Sequence, residues 1–378
     1  MWIYLFEIIL DPTNLTFFVL VIAIIVGAII VISRPFSSYV KFVYPNAKYE
    51  TIGNSYIKEK ELNALVESTN LNSFKETLNS SKDFNLEGDT TKEIQESLEK
   101  NLDKTIQMMR NDSSKKMNIF FDCYLEKNDF YIIKKELKNK LVNNYVNEDN
   151  IKKIRFKHNK RLLSEIKDAS KEDMSEILLL YGFSDKIKNT ISQDEIDFLK
   201  LDYIIDKYYI EKFKNVKVPY KCELGKKRFI QLFIDSNNVK NILRAKQMDY
   251  KKEQCMSLFL GEGLEIAKWK FEEIADSDSV SQAISSLEGT SYYNILKDSI
   301  EKYNKEQSAQ VLEDAIDKLY LKHIKEISQE NYITIGPTIR FIVSKEFEIR
   351  NLKAIAKGIS ENISSDLIKE ILITEVQN

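Results

Sequence analysis

The chain alternates long segments, in which apolar residues recur at the three-to-four-residue spacing of a helix face, with short clusters of Gly, Pro, Asn and Asp. Helical periodicity is plain over residues 90–109, 194–213 and 306–327. It is equally plain in IGPTIRFIVSKEFEIRNLKAIAKG, residues 335–358, where a Gly-Pro turn opens a helix and Ile339, Ile342, Val343, Ile349 and Leu352 lean to one side. Glu346 and Arg350 fall in the middle of that apolar side, four residues apart with the acid first, the favourable order for a helical ion pair. A charge pair so placed predicts an interior bridge to a neighbouring helix or to a partner repeat. Breaks are expected at Gly53-Asn54 and at residues 85–89, 143–150, 260–263 and 334–338. No segment sustains the alternation of a strand, so the predicted fold class is all-α.

The long segments repeat. When residues 121–139, 230–248 and 343–358 are aligned on Phe130, Val239 and Ile349, Ile133, Ile242 and Leu352 coincide, as do Glu126, Asp235 and Lys345, at steps of about 110 residues. A second family occupies 66–78, 166–178 and 274–287, each with an apolar residue, a Ser/Asp-rich turn suited to N-capping and a short helix. Three related helical units follow, at 34–158, 159–265 and 266–378, packed as a solenoid or around a pseudo-axis. The positions equivalent to Glu346 and Arg350 are Ser236 with Lys240 and Lys127 with Tyr131, so the charge pair is expected to belong to the third unit alone.

Ahead of these units lies LTFFVLVIAIIVGAIIVI, residues 15–32, without a charge. Eighteen helical residues rise about 27 Å against a hydrocarbon core of about 30 Å, and the run is apolar all round. A secretory signal requires a basic start and a small-residue cleavage site, whereas Glu7 and Asp11 precede this run. The expectation is a transmembrane helix over 15–33 after a short extracytoplasmic stretch, 1–14. Arg34 and Lys41 follow the span, which by the positive-inside rule puts the main body on the cytoplasmic side of the cell membrane.

Composition narrows the function. The 56 basic and 58 acidic residues balance, so no global field attracts nucleic acid, and nucleic acid is discounted as a partner. Only ten Gly and five Pro are present, in keeping with long helices. Cys123, Cys222 and Cys255 have no close spacing and read as reduced thiols. His158 and His323 are the only histidines, too far apart in the chain for a zinc helix motif. LGEGLE, residues 260–265, lacks the third glycine of a dinucleotide loop and the Lys-Ser/Thr of a phosphate loop, so Gly261 and Gly263 read as an interhelical turn. The acidic pairs Glu272 with Glu273 and Asp276 with Asp278 stand in no calcium loop and read as a solvated face. No catalytic, cofactor-binding or metal-binding residues are expected, and no cofactor.

FVYPNAKYETIGNSYI (42–57), NVKNILRAKQ (238–247) followed by LFLGEGL (258–264), and the closing K-E-x-E-I-R-N-L of residues 345–352 together resemble the C subunit of the archaeal A-type ATP synthases, the counterpart of the d subunit in V-type ATPases. The resemblance covers about residues 42–378. It implies three helical pseudo-repeats arranged as a funnel and a non-catalytic rotor socket present in one copy per complex. Central stalk subunits D and F would engage the funnel, its closed end would rest on the proteolipid ring, and torque would pass between them. The family carries no active-site residues to transfer. This chain departs from it at LGEGL, where a Pro-Gly-Gly-like turn is more common, and in the N-terminal span, which many members lack. A span outside the ring would strike the stator as the rotor turns, so the span is expected in the bore, in contact with membrane lipid. The alternative from the residues alone is a membrane-tethered helical-repeat scaffold unrelated to rotary ATPases.

Overall fold

The computed structural model describes Pro12 and residues 15–81 and 83–375. The stretch expected to be extracytoplasmic, with Glu7 and Asp11, lies outside the described residues apart from Pro12. The described chain is all-helical. α1 (Leu15–Ile52) leads through a short 3-10 turn, Ser55–Ile57, to α2 (Glu59–Val66), α3 (Leu71–Asn79), α4 (Thr91–Asp112) and the long α5 (Asn118–Asn143). The chain continues through α6 (Glu148–Lys153), α7 (Lys157–Asp168), α8 (Lys171–Leu180), α9 (Lys186–Ile191), α10 (Phe198–Lys214) and the long α11 (Glu223–Gln247). It ends with α12 (Lys252–Met256), α13 (Lys268–Ala275), α14 (Val280–Ser285), α15 (Ser291–Glu306), α16 (Ala309–Glu330), the long α17 (Gly336–Ser360) and α18 (Ser365–Glu370).

Local chemistry accounts for the short helices. Asn70, Ser170 and Ser279 each turn a side-chain oxygen onto the backbone N–H three residues on, at 2.9, 3.1 and 3.3 Å, and so satisfy an orphan donor of α3, α8 and α14. Thr90 and Glu93 form a reciprocal capping box that starts α4.

α1 is one uninterrupted helix of 38 residues, about 57 Å long, with no break at the 33/34 boundary. Its first half is long and apolar enough to cross a membrane, and none of that apolar window is buried by the rest of the chain. Its second half is fastened to the body. Phe42, Asn46 and Tyr49 are buried. Asn46 Nδ2 donates to the carbonyls of Tyr332 at 2.8 Å and Thr334 at 2.9 Å, and Tyr49 stacks on Phe341 with ring centroids 4.9 Å apart. Lys48 pairs with Asp112 at 2.8 Å.

The long helices α5, α11 and α17 organise the body, and the same contacts occur around each. α5 packs on α10, α11 on α16, and α17 on α4. Each long helix also holds the backbone of the non-α segment that leads into another helix. On α5, the Asp129 carboxylate accepts the N–H groups of Arg155 and Phe156 at 2.9 and 3.0 Å, just before α7. On α11, Asp235 accepts the N–H groups of Leu264, Glu265 and Ile266 at 2.7, 2.8 and 3.0 Å, while Asn238 donates to the Gly261 carbonyl and accepts the Leu260 N–H, both at 3.0 Å, before α13. On α17, Glu348 accepts the Tyr56 N–H at 2.9 Å and Asn351 donates to the Tyr56 carbonyl at 3.2 Å, before α2. The third set therefore returns to the start of the body and closes the circuit. Asn351 also donates to the Ile373 carbonyl at 2.8 Å and accepts its N–H at 3.0 Å, so one side chain ties both ends of the body.

Gly263 belongs to this arrangement, because a Cβ there would overlap the Asp235 carboxylate. Asp235→Ala strips three N–H groups of their acceptor, that of Ile266 buried and the other two partly buried, and is expected to destabilise the protein by about 3 kcal/mol. Gly263→Ala is expected to cost about 2 kcal/mol in the natural chain and much less beside Asp235→Ala, because the overlap is then gone. Chemical denaturation of the two single variants and the double variant checks this coupling, which additive losses would contradict.

Candidate functional site

One face of each long helix is covered at its start and opens further along. On α5, Phe120 and Tyr124 are buried, Lys127 is half-buried and Tyr131 is 65% exposed. On α11, Phe229 is buried, whereas Phe233, Lys240 and Arg244 are partly exposed. On α17, Ile339 and Val343 are buried, but the side chains of Glu346 and Arg350 keep 37% and 46% of their surface exposed. Tyr124 of α5 thus meets Phe229 of α11 and Glu346 of α17 near the covered end, and charged side chains stand further along each helix.

The enclosed end is aromatic. Tyr124 stacks on Phe229 at 6.2 Å, Phe120 and Tyr209 flank Phe213 at 5.5 and 5.7 Å, and the Tyr124 hydroxyl donates to Glu346. Burial holds the phenols of Tyr124, Tyr209 and Tyr320 well above their ordinary range, so they remain neutral donors.

Above it runs a ladder in which a cation on a long helix meets an acid on a neighbour. Lys134 and Lys138 of α5 pair with Asp206 and Asp202 of α10 at 2.8 and 2.6 Å. Lys240 and Arg244 of α11 pair with Asp317 and Glu313 of α16 at 2.5 and 2.6 Å, the arginine through two nitrogens. Lys353 of α17 pairs with Glu99 of α4 at 2.6 Å. Burial raises the Asp206 carboxyl in opposition to the pull of Lys134. Burial works against the Arg350 charge too, although solvent reaches its side chain, and Asp317 outweighs that burial and raises its pKa.

Glu346 and Arg350 bridge to neighbouring helices as expected, but from a partly exposed position and not an interior one. They reach different neighbours: Glu346 accepts from Lys127 of α5 at 2.6 Å, and Arg350 donates to Asp317 and Asp314 of α16 at 2.6 and 3.3 Å. α17 is covered over most of its circumference, and these residues stand on its exposed sector. Positions aligned with the pair in the sequence take part in the same bridges. Lys127, aligned with Glu346, is its partner, and Lys240, aligned with Arg350, shares Asp317 with it.

Other residues singled out from the sequence remain scattered. His158 and Lys212 both contact Glu126 at 2.6 Å, while His323 sits 3.9 Å from Glu265 with its pKa lowered by burial. Glu272 and Asp276 share Lys252 at 3.3 Å each. All three cysteines are buried and free, and burial pushes the Cys123 and Cys222 thiols up to about 12. Gly261, at φ +126°, lies in the turn expected of LGEGLE. Among the described residues, no three His, Cys, Asp or Glu are grouped to hold a metal ion.

The profile of the ATP synthase (C/AC39) subunit family matches residues 45–371. The chain belongs to this family. Similar members include the A-type ATP synthase C subunit of Methanobrevibacter smithii, 28% identical over 96% of each chain, and that of Methanosphaera stadtmanae, 26% identical over 94% of each. The corresponding C subunit of Methanocaldococcus jannaschii is 35% identical over 47% of this chain and 45% of its own. Family membership makes the chain a non-catalytic subunit of a rotary ATPase. It also gives the ladder a structural setting in place of a reaction site.

The shared carboxylate yields a prediction. Asp317 is only 10% exposed and has two cationic partners. Arg350→Ala is expected to cost about 1 kcal/mol or less, because its own side chain is half solvated and Lys240 still pairs with Asp317. Lys240→Ala with Arg350→Ala leaves a buried charge unpaired and is expected to cost about 3 kcal/mol or more, beyond the sum of the singles. Denaturation of the three variants measures the excess, and its absence would contradict the shared role of Asp317.

Proposed function

We propose that this protein is the rotor socket of an A-type ATP synthase, a funnel of three related helical units that couples the central stalk to the proteolipid ring. The observation that carries this reading is the shared opening of the long helices, closed over Tyr124 and Phe229 and open where Tyr131, Lys240 and Arg350 stand. The stalk, subunits D and F, sits against the open ends of the long helices. The closed end faces the ring, because α1 joins the body beside the turns that precede the long helices, at Asn46 with Tyr332 and at Lys48 with Asp112. The three contact sets support units near 34–158, 159–265 and 266–378, related about a pseudo-axis. Residues 15–33 cross the cell membrane within the bore of the ring, with the body on the cytoplasmic side and one copy in each complex. The family assignment removes the alternative of a scaffold unrelated to rotary ATPases.

Site-directed crosslinking in the intact complex tests the reading. The natural cysteines are buried, so an introduced cysteine reacts selectively. Tyr131→Cys, on the open part of α5, is expected to crosslink to the stalk, whereas Leu180→Cys, 85% exposed on α8, is not. Crosslinkers at Ala23 or Gly27 should reach only the inner helices of the ring. Crosslinks from the span to the stator, or from Leu180 but not Tyr131 to the stalk, would overturn the arrangement.

A further inference from the structure

We propose that the turn between α10 and α11, beside the foot of the apolar helix, binds anionic lipid headgroups. The proposal rests on the reading that residues 15–33 cross a bilayer. Arg34, the first cation after the apolar run, lies over the Tyr220 ring at 4.7 Å. That contact holds the turn at the level where the chain would leave the hydrocarbon.

The segment KVPYKCELGKKR, residues 217–228, carries five cations and one acid. Two of the cations serve the fold. Lys226 turns inward, donates to the carbonyls of Lys214 and Val216 at 3.2 and 2.5 Å and pairs with Glu223, while Arg228 pairs with Glu330. Lys217, Lys221 and Lys227 stay exposed, and none forms an ion pair among the described residues. Lys41 on α1 is exposed and without an ion pair in the same way.

Apolar side chains are exposed among these cations. Leu224 is 60% exposed, and Tyr332 and Ile333 are exposed on the turn whose Asn331 and Ile335 side chains lie against Gly225. On α1, exposed Phe36, Val40, Val43 and Tyr44 recur along one side beyond the span. A phosphate-bearing interface satisfies both groups at once. Lysines extend to the phosphates while tyrosines and aliphatic side chains enter the glycerol region. An acidic protein surface would answer the charges and leave the apolar residues wet.

The full chain carrying Leu224→Cys with an environment-sensitive fluorophore, inserted through α1 into vesicles, provides the test. One set of vesicles is neutral phosphatidylcholine and the other contains about one-third phosphatidylglycerol. The label is expected to shift to the blue only in the anionic vesicles, and high salt should reverse the shift. Each lysine contributes about fivefold to docking, so Lys217→Gln with Lys221→Gln and Lys227→Gln should lower the docking constant about a hundredfold and restore the neutral-vesicle emission. Equal emission in both vesicles, or a shift indifferent to the three substitutions, would overturn the proposal. So would a photocrosslinker at Tyr220 that, in the intact complex, joins a proteolipid and no lipid. Failure of the chain to float with neutral vesicles would instead refute the span, so the two readings fail separately.

Discussion

The body depends on a single kind of interaction, a buried polar side chain on a long helix that holds the backbone of an incoming segment. Asp129, Asp235 with Asn238, and Glu348 with Asn351 do this in turn, and all five are at most 3% exposed. Non-α backbone inside a helical protein has no ladder to satisfy it, and each unpaired buried N–H costs about 1–3 kcal/mol. The side chains remove that penalty and fix where each short helix begins. Because the third set reaches Tyr56, the long helix nearest the C-terminus is bonded to the segment nearest the start of the body, and neither end of the circuit is left free.

The proposed socket would have to resist shear between its parts, and the closed circuit is suited to that. The ion pairs of the ladder add cross-links between the same helices, individually modest where solvent reaches them and greater where carboxylates such as Asp317 and Asp202 are enclosed. α1 extends the same logic towards the membrane, since the helix that would cross the bilayer is the helix that stacks on Phe341. With no break between the two halves, a displacement of the span is carried directly into α17.

Much of this was legible in the residues. The capped turns at Asn70, Ser170 and Ser279 and the helices at 90–109, 194–213, 306–327 and 335–358 depend on local chemistry, and the structure has them with shifts of a few residues. Glu126, Asp235 and Lys345, which the sequence aligns, are all buried. Their burial was not visible, because it depends on loops far along the chain that bring N–H groups to them. The faces of α17 were the hardest to read. A helix covered over most of its circumference loses the contrast between apolar and polar sides, so the open sector at Glu346 and Arg350 looked like the centre of a buried stripe. The signal that could have located their partners was the alignment itself, which sets Lys127 against Glu346 and Lys240 against Arg350.

Amide hydrogen exchange tests the closure of the circuit most directly. The Tyr56 N–H lies in a short 3-10 turn near the start of the body and is held by Glu348, while the Leu264 and Ile266 N–H groups are held in mid-chain by Asp235. If the circuit is closed, the Tyr56 amide exchanges only with the global opening that releases Leu264 and Ile266, at a similar protection. Tyr56 exchanging like an open loop, while Leu264 and Ile266 stay protected, would contradict the account.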